Sequence, residues 1–470
     1  MNSARLRNTD VVVNLGALRH NIRAQKAALP AGSHIFGVVK ADAYGNGMPQ
    51  VAHVLSEEGV AGFCVALLDE GLTLRDAGLT ETILVLGITP VQYAPIAAEN
   101  EISLTVGSVD WLREYQKVAQ TNHVKKPLKV HLGLDTGMGR IGFQDTDQFK
   151  QAMEILKAPE FEFEGIFTHF ATADSPDHTY FDHQLSKWKH FLSVVDQRPR
   201  YVHMANSATG LWHQQDIENN TVRMGISLYG CNPSGRDIKP SLELEPVTSL
   251  VTHATFVKLL HKGDSVSYGA TYTAQQDEWV ATLPVGYADG YQRGLTGYHV
   301  LIDGQKCDIL GRICMDQMMV RLPHEMQVGT EAVLLGKSGD EEITATDLAD
   351  QLGTINYEVL TGLGDRLHRR YIDNKEWSPF WRKDALIVGI FITLICHQLR
   401  DRNRAAFVRC SLFKMISAIG IVPPLSWRRL LPRCKSTVCQ LMSGFNKQCR
   451  GSNGTPLCFW NRSGRLTNGG

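Results

Sequence analysis

The stretch before residue 376 is poor in cysteine. Only Cys64, Cys231, Cys307 and Cys314 fall there, with no CxxC pair and no closely spaced framework. That usage excludes a small disulfide-stapled domain and points to a reducing compartment, the cytoplasm. Long apolar runs are also lacking. The opening MNSARLRNTDVVV has no apolar core of a secretory leader, and nothing before residue 376 approaches the ~18 apolar residues needed to cross a bilayer. Net charge is zero, from 48 Lys+Arg against 48 Asp+Glu, but two opposed parts make up the balance. Residues 376–470 hold 15 basic and 3 acidic residues, leaving 33 basic and 45 acidic for residues 1–375. The long N-terminal part is therefore acidic and carries no basic stripe of a nucleic-acid binder.

At 470 residues, two or three domains are expected. From residue 11 to about 240, short β-branched or aromatic runs alternate with helical-period stretches. The runs are HIFGVV (34–39), GFCVA (62–66), TILVL (82–86), ISLTV (102–106), LKVHLGL (128–134), FEFEGIF (161–167), YVHM (201–204) and TVRMG (221–225). Eight strands with amphipathic segments such as Ser108–Val118 between them predict an α/β fold, a (β/α)8 TIM-type barrel over 9–241, which fits the count better than the alternative of an open doubly wound sheet. From about Leu242 the rhythm changes to β-rich segments separated by Gly, Asp and Pro turns, which predicts a mostly antiparallel β domain over 242–375. Residues 376–470 hold six of the ten cysteines and a twelve-residue apolar run, Ala385–Cys396. That tail reads as an atypical basic extension, disordered or a read-through product, in preference to a membrane-surface anchor.

Lys40 follows the first strand run, where a barrel exposes its catalytic mouth. A lone lysine there is ordinarily just solvated; Gly45, Gly47 and the hydroxyl of Tyr44 beside it suit the approach of an anionic group. HMANSATG (203–210) and VRMGISLYG (222–230) end the seventh and eighth runs, where barrels often bind phosphate. Ser207, Gly225 and the Ile226 amide are of the right type, and Arg223 adds a fixed charge. Read alone, Ser207 is a helix cap and Arg223 an ordinary ion-pair partner.

KADAYGNG (40–47) resembles the pyridoxal-phosphate (PLP) lysine motif of alanine racemases, GLDTGMGRIGF (133–143) their TGMGR segment, and THFATAD (168–174) a third barrel signature. SYGATYTA (267–274), LPVGYADGYQR (283–293), GRICMDQ (311–317) and GTINYEVL (353–360) continue the resemblance, which spans roughly Thr9–Tyr371. It implies a racemase that interconverts L- and D-alanine and supplies D-alanine for peptidoglycan. Lys40 would carry the cofactor and act on one face of the α-carbon, and Tyr268 of a second subunit would act on the other. Arg140 and the backbone of Met315 would hold the substrate carboxylate. Tyr44, Asn206, Ser207, Gly225, Ile226 and Tyr357 would hold the cofactor. His203 would orient Arg223 at the pyridine nitrogen, and His169 would link Arg223 toward Tyr268. Asp174, Tyr287, Arg293 and Arg312 would line the entrance. No metal is implied.

The residue types suit that chemistry. Moving a proton between the two faces of a planar centre takes two acid/base groups, and an ordinary lysine (about 10.4) or tyrosine (about 10) must be lowered to serve near neutrality. An arginine, effectively always protonated, cannot take up a proton from the ring it faces, so the ring nitrogen stays bare and leakage to transamination falls. Tyr268, Tyr357 and Met315 around the α-carbon favour a methyl side chain, though serine is only one hydroxyl larger. One departure stands out. Family members often place a carbamylated lysine two residues before the Asp of DTGMGR; here that residue is Gly133, so Arg140 needs another orienting group, a bound anion or water. A PLP carrier would need no SYGATYTA segment, and a PLP decarboxylase would carry a cysteine motif not evident here, although Cys314 lies in the region.

Overall fold

Strands in the first half are buried on both faces, as their unbroken apolar runs require of a parallel sheet covered by helices. A computed structural model of the chain describes residues 5–217 and 220–373, together with two short paired strands, Phe459–Trp460 and Leu466–Thr467. Apart from that pairing, the expectation for 376–470 lies outside the described residues. Strand β1 (Asp10–Asn14) is followed by eight parallel strands: β2 (His34–Val38), β3 (Gly62–Val65), β4 (Thr82–Ile88), β5 (Ser103–Val106), β6 (Leu128–Gly133), β7 (Phe161–Phe167), β8 (Tyr201–His203) and β9 (Thr221–Met224). They coincide with the eight runs identified in the sequence.

From β2 to β8 each strand pairs with the next, and β9 pairs with β2. Between β8 and β9 the ring closes through the parallel bridge Ala205↔Val222 and the bond from Arg223 N to Ala205 O at 3.0 Å. The connecting helices follow amphipathic spacing. Helix Val109–Thr121 is capped by Ser108, whose hydroxyl accepts from Trp111 N, and buries Val109, Leu112, Tyr115 and Ala119.

The second part is a mostly antiparallel sheet. In spatial order it runs Phe256–Leu260, Glu278–Leu283, Met318–Leu322, Gln305–Leu310, His299–Ile302, Glu331–Ser338 and Thr248–His253, then β1 and His368–Ile372. Here the structure departs from the 9–241 boundary. β1 pairs antiparallel with Thr248–His253 and parallel with His368–Ile372, so the chain's first strand belongs to the second sheet. Its apolar centre, Val11, Val12 and Val13, is fully buried there. Nothing local reveals this, because its partners lie more than 230 residues away.

Asp289 ties the same ends together. Its buried carboxylate accepts Arg7 Nη1 at 2.9 Å and Nη2 at 2.8 Å, receives Gly286 N at 3.1 Å, and lies 3.3 Å from Arg366 Nε.

Candidate active site

Lys40 begins a segment in which Ala41, Asp42, Ala43 and Tyr44 all have left-handed backbone, with φ of 52°, 51°, 54° and 55°. Four such non-glycine residues in a row cost on the order of 1–2 kcal/mol each. Local bonds hold the turn. Glu70 Oε1 accepts Ala41 N at 2.7 Å, Asp42 Oδ1 accepts Met48 N at 2.7 Å, and the buried Asn46 amide donates to Ala43 O at 3.0 Å. Thr248 of the β domain donates to Asn46 Oδ1 at 2.7 Å, anchoring the turn to the second sheet.

The turn aims Lys40 into the mouth among cations. Burial, then the Arg140 guanidinium, push its amine below the ordinary lysine value, with Cys64 and Glu70 opposing and Arg223 adding to the depression. Cys64, which sequence reasoning passed over, is fully buried close by, and burial pushes its thiol up to about 12, so it sits there as a neutral group. Tyr44 is buried with its ring 4.8 Å from Tyr229 and 6.2 Å from Tyr357, bringing the β-domain helix Asn356–Thr361 over the barrel mouth.

The two expected phosphate loops meet. Ser207 Oγ accepts Gly225 N at 2.8 Å, so that amide is committed within the protein, while the Ser207 O–H remains available to donate. Ile226 opens a short 3-10 helix, where a first N–H has no intrahelical acceptor. Asn206 proves to be the cap of helix Ser207–Trp212, its Oδ1 taking Thr209 N at 2.9 Å, a role the sequence analysis had given to Ser207.

Arg223 lies buried beneath these loops. Its Nη1 donates to His203 Nδ1 at 2.8 Å and to His203 O at 3.0 Å, and its Nη2 to Thr168 O at 2.7 Å. His169 Nδ1 stands 3.3 Å from Nη2. Burial and the neighbouring Arg223 charge push His169 down to about 3, so it is neutral at pH 7. Burial lowers Arg223 only to about 10, and it keeps its charge.

Arg140 is exposed and forms no ion pair or hydrogen bond among the described residues. Its loop is shaped by Asp135, whose Oδ1 accepts Gly137 N at 3.1 Å and Gly139 N at 2.9 Å. At Gly133 a Cβ would meet only Thr105 and Phe167 atoms at 3.5 Å, ordinary contacts, so no neighbour enforces the glycine. Asp174 is half-buried, and burial raises its carboxyl.

The remaining expected residues form a separate group on the β domain. Tyr268 is 71% exposed and Met315 52%, and both line one open cleft with Ser267, Gly269 and Cys314. Ser267 Oγ donates to Arg312 O at 2.5 Å, while Tyr287 N donates to Cys314 O at 3.1 Å. Arg293 and Arg312 are exposed. Within the single chain no hydrogen bond links Tyr268 to His169 or Lys40, so the expected line from Arg223 stops at His169.

Residues 13–233 match the family described as "Alanine racemase, N-terminal domain" and residues 247–371 "Alanine racemase, C-terminal domain". An alanine racemase of Limosilactobacillus fermentum is 65% identical over 372 residues, 79% of this chain and 100% of that protein. The crystal structure of alanine racemase from E. faecalis is 43% identical, superposes with a TM-score of 0.77, and is matched over 79% of this chain and 100% of that one. A histidine racemase from Leuconostoc mesenteroides is 34% identical with a TM-score of 0.76, over 79% of this chain and 100% of that one. With two family domains matched and relatives that agree over nearly all the described residues, the chain belongs to the alanine racemase family, whose activity is the interconversion of L- and D-alanine.

Proposed function

We propose that Lys40 and Tyr268 carry this interconversion, with PLP held on Lys40 and each active site completed by the β domain of a second copy. The observation that carries the reading is the pairing of a half-buried Lys40, its amine depressed, with two loops that join through Ser207 and Gly225. The donor set fits a phosphorylated pyridine. The Ser207 hydroxyl and the Ile226 amide suit its phosphate, and a Cβ at Gly225 would lie 2.6 Å from Tyr44 Oη, closing the space a phosphate needs. Arg223 has no directly bonded carboxylate, which suits a donor facing an unprotonated ring nitrogen.

Bound PLP supplies the electron sink that makes the α-proton removable. Lys40, whose amine is pushed below the ordinary lysine value by burial and then by Arg140, takes or returns that proton on one face. Arg140, with no hydrogen-bonding or ion-pair partner among the described residues, is free to clamp the substrate carboxylate, and the amide of the partner's Met315 would complete that clamp. A second base that is 71% exposed in its own chain, as Tyr268 is, needs a covering surface to exclude water, and a partner's barrel mouth supplies one. Such a pair works in the cytoplasm on a small amino acid.

Borohydride reduction followed by peptide mapping should place the pyridoxyl group on Lys40; a label on another lysine, or no label, would remove the cofactor assignment. Enantiomer-resolved assays with alanine, serine and histidine then fix the substrate, with alanine expected to be fastest. Gly225→Ala tests the phosphate loops. Overpacking against Tyr44, whose ring is wedged by Tyr229 and Tyr357, costs about 1–3 kcal/mol. Cofactor titration should show affinity weakened by roughly five- to 150-fold at that cost. Wild-type affinity would mean the phosphate binds elsewhere.

A further inference from the structure

A chain of buried polar groups runs through the barrel interior behind Arg223. From its far end, Ser103 on β5 donates to Glu164 on β7 at 2.5 Å, and Glu164 Oε2 lies 3.0 Å from His131 Nε2 on β6. His131 Nδ1 is 2.9 Å from His203 Nε2 on β8, and His203 Nδ1 is 2.8 Å from Arg223 Nη1 on β9. Every member is buried: Ser103, His131 and His203 at 0% exposure, Glu164 at 2% and Arg223 at 3%. The barrel is shaped to admit it. A Cβ at Gly165 would lie 2.3 Å from His131 Nδ1, so only a glycine beside Glu164 leaves room for the ring. The His203 ring stacks on Phe167 with centroids 5.1 Å apart and planes 11° apart.

Donor chemistry fixes the direction of every bond. Guanidinium groups only donate, so His203 Nδ1 must be the acceptor and carry no proton. A neutral His203 then has its proton on Nε2, which donates to His131 Nδ1. By the same step His131 carries its proton on Nε2 and donates it to Glu164. No alternative placement of protons satisfies all three contacts. The chain thus begins at a fixed cation and ends at a carboxylate, with two neutral imidazoles aligned between them. A buried charge left without such compensation is costly.

We propose that Glu164, acting through His131 and His203, is a positioning residue for Arg223: it supplies the compensating charge and locks both imidazoles as Nε2–H tautomers, holding the guanidinium in one orientation at the barrel mouth. The proposal rests on the racemase reading above and adds Glu164 and His131 to it. Glu164→Gln separates charge from hydrogen bonding, because the amide oxygen still accepts from His131 Nε2.

The test has two arms on the full-length protein with bound PLP. In the first, histidine 15N spectra, assigned by loss of a signal in His131→Gln, should show bare Nδ1 and protonated Nε2 at both His131 and His203. A protonated Nδ1 on either ring overturns the proposal, and this arm stands even if Glu164 variants fail to fold. In the second, Glu164→Gln should melt within a few degrees of wild type, yet racemise alanine with kcat lowered on the order of tenfold to a hundredfold and KM within about twofold, as expected when a group is misplaced without loss of substrate contacts. A wild-type kcat overturns the proposal. Failure of the wild type itself to racemise alanine, or to carry a reducible pyridoxyl group on Lys40, would instead remove the underlying reading.

Discussion

Lys40→Ala and Tyr268→Phe proteins, each nearly inactive alone, should regain racemase activity when mixed under conditions of subunit exchange. Losing a positioned acid/base group costs about 10²–10⁴-fold, so each homodimer should fall by that much. In a heterodimer, one of the two sites combines a native Lys40 with a native Tyr268, and the other has neither. Activity should approach half that of wild type per heterodimer. The reason lies in the geometry of the single chain, where Lys40 is drawn into the barrel mouth while Tyr268 stands 71% exposed on the β domain with no link to His169. Exchange shown directly by mass, with no return of activity, would mean that Tyr268 serves its own barrel or is not the second base.

Asp289→Ala should be the most destabilising single change outside the mouth. The Asp289 carboxylate is fully buried, and its removal leaves Arg7 without its ion-pair partner and Arg366 with Asp316 alone. Breaking a buried pair from one side costs about 3–5 kcal/mol. The cost should appear as a lowered denaturant midpoint with an unchanged slope, whereas Asp289→Asn, which keeps an acceptor for one guanidinium, should lose less. A loss under about 1 kcal/mol would show that the pair is dispensable, within the ordinary range for an exposed ion pair. Because Ala288 N donates to Met315 O at 3.0 Å, the loosened loop should also raise KM for alanine.

The barrel was legible because its strands are buried on both faces and so read as unbroken β-branched runs, each bounded by a helical stretch. The membership of β1 was not legible, since its Val11–Val13 run looks like any barrel strand and its partners, Thr248–His253 and His368–Ile372, are distant in the chain. Among the candidate site residues, Lys40, Arg223, Ser207 and Gly225 were singled out through their motifs, and the fold brings Ser207 and Gly225 into contact. The buried His131 and Glu164 were not singled out because they belong to strand runs, where a lone polar residue carries no signal until the barrel turns it inward. Asn206 and Ser207 exchanged the capping role for a simple reason: adjacent Asn and Ser are both good caps, and only the backbone decides which stands first. At Gly133 the sequence signal was read correctly as a departure: among the described residues no side chain takes the place of the lysine beside Arg140.

The left-handed turn after Lys40 has a stereochemical corollary. At Ala41 and Ala43 the backbone angles are close to the mirror image of those in an ordinary right-handed helix, the region that a D-residue occupies without a steric penalty. The protein therefore holds two L-alanines of its own backbone in the conformation native to D-alanine, beside the lysine proposed to interconvert the two free forms. Semisynthetic replacement of Ala41 or Ala43 by the D-enantiomer would relieve the turn, whereas an L-valine there would add a β-branched clash to a conformation already strained.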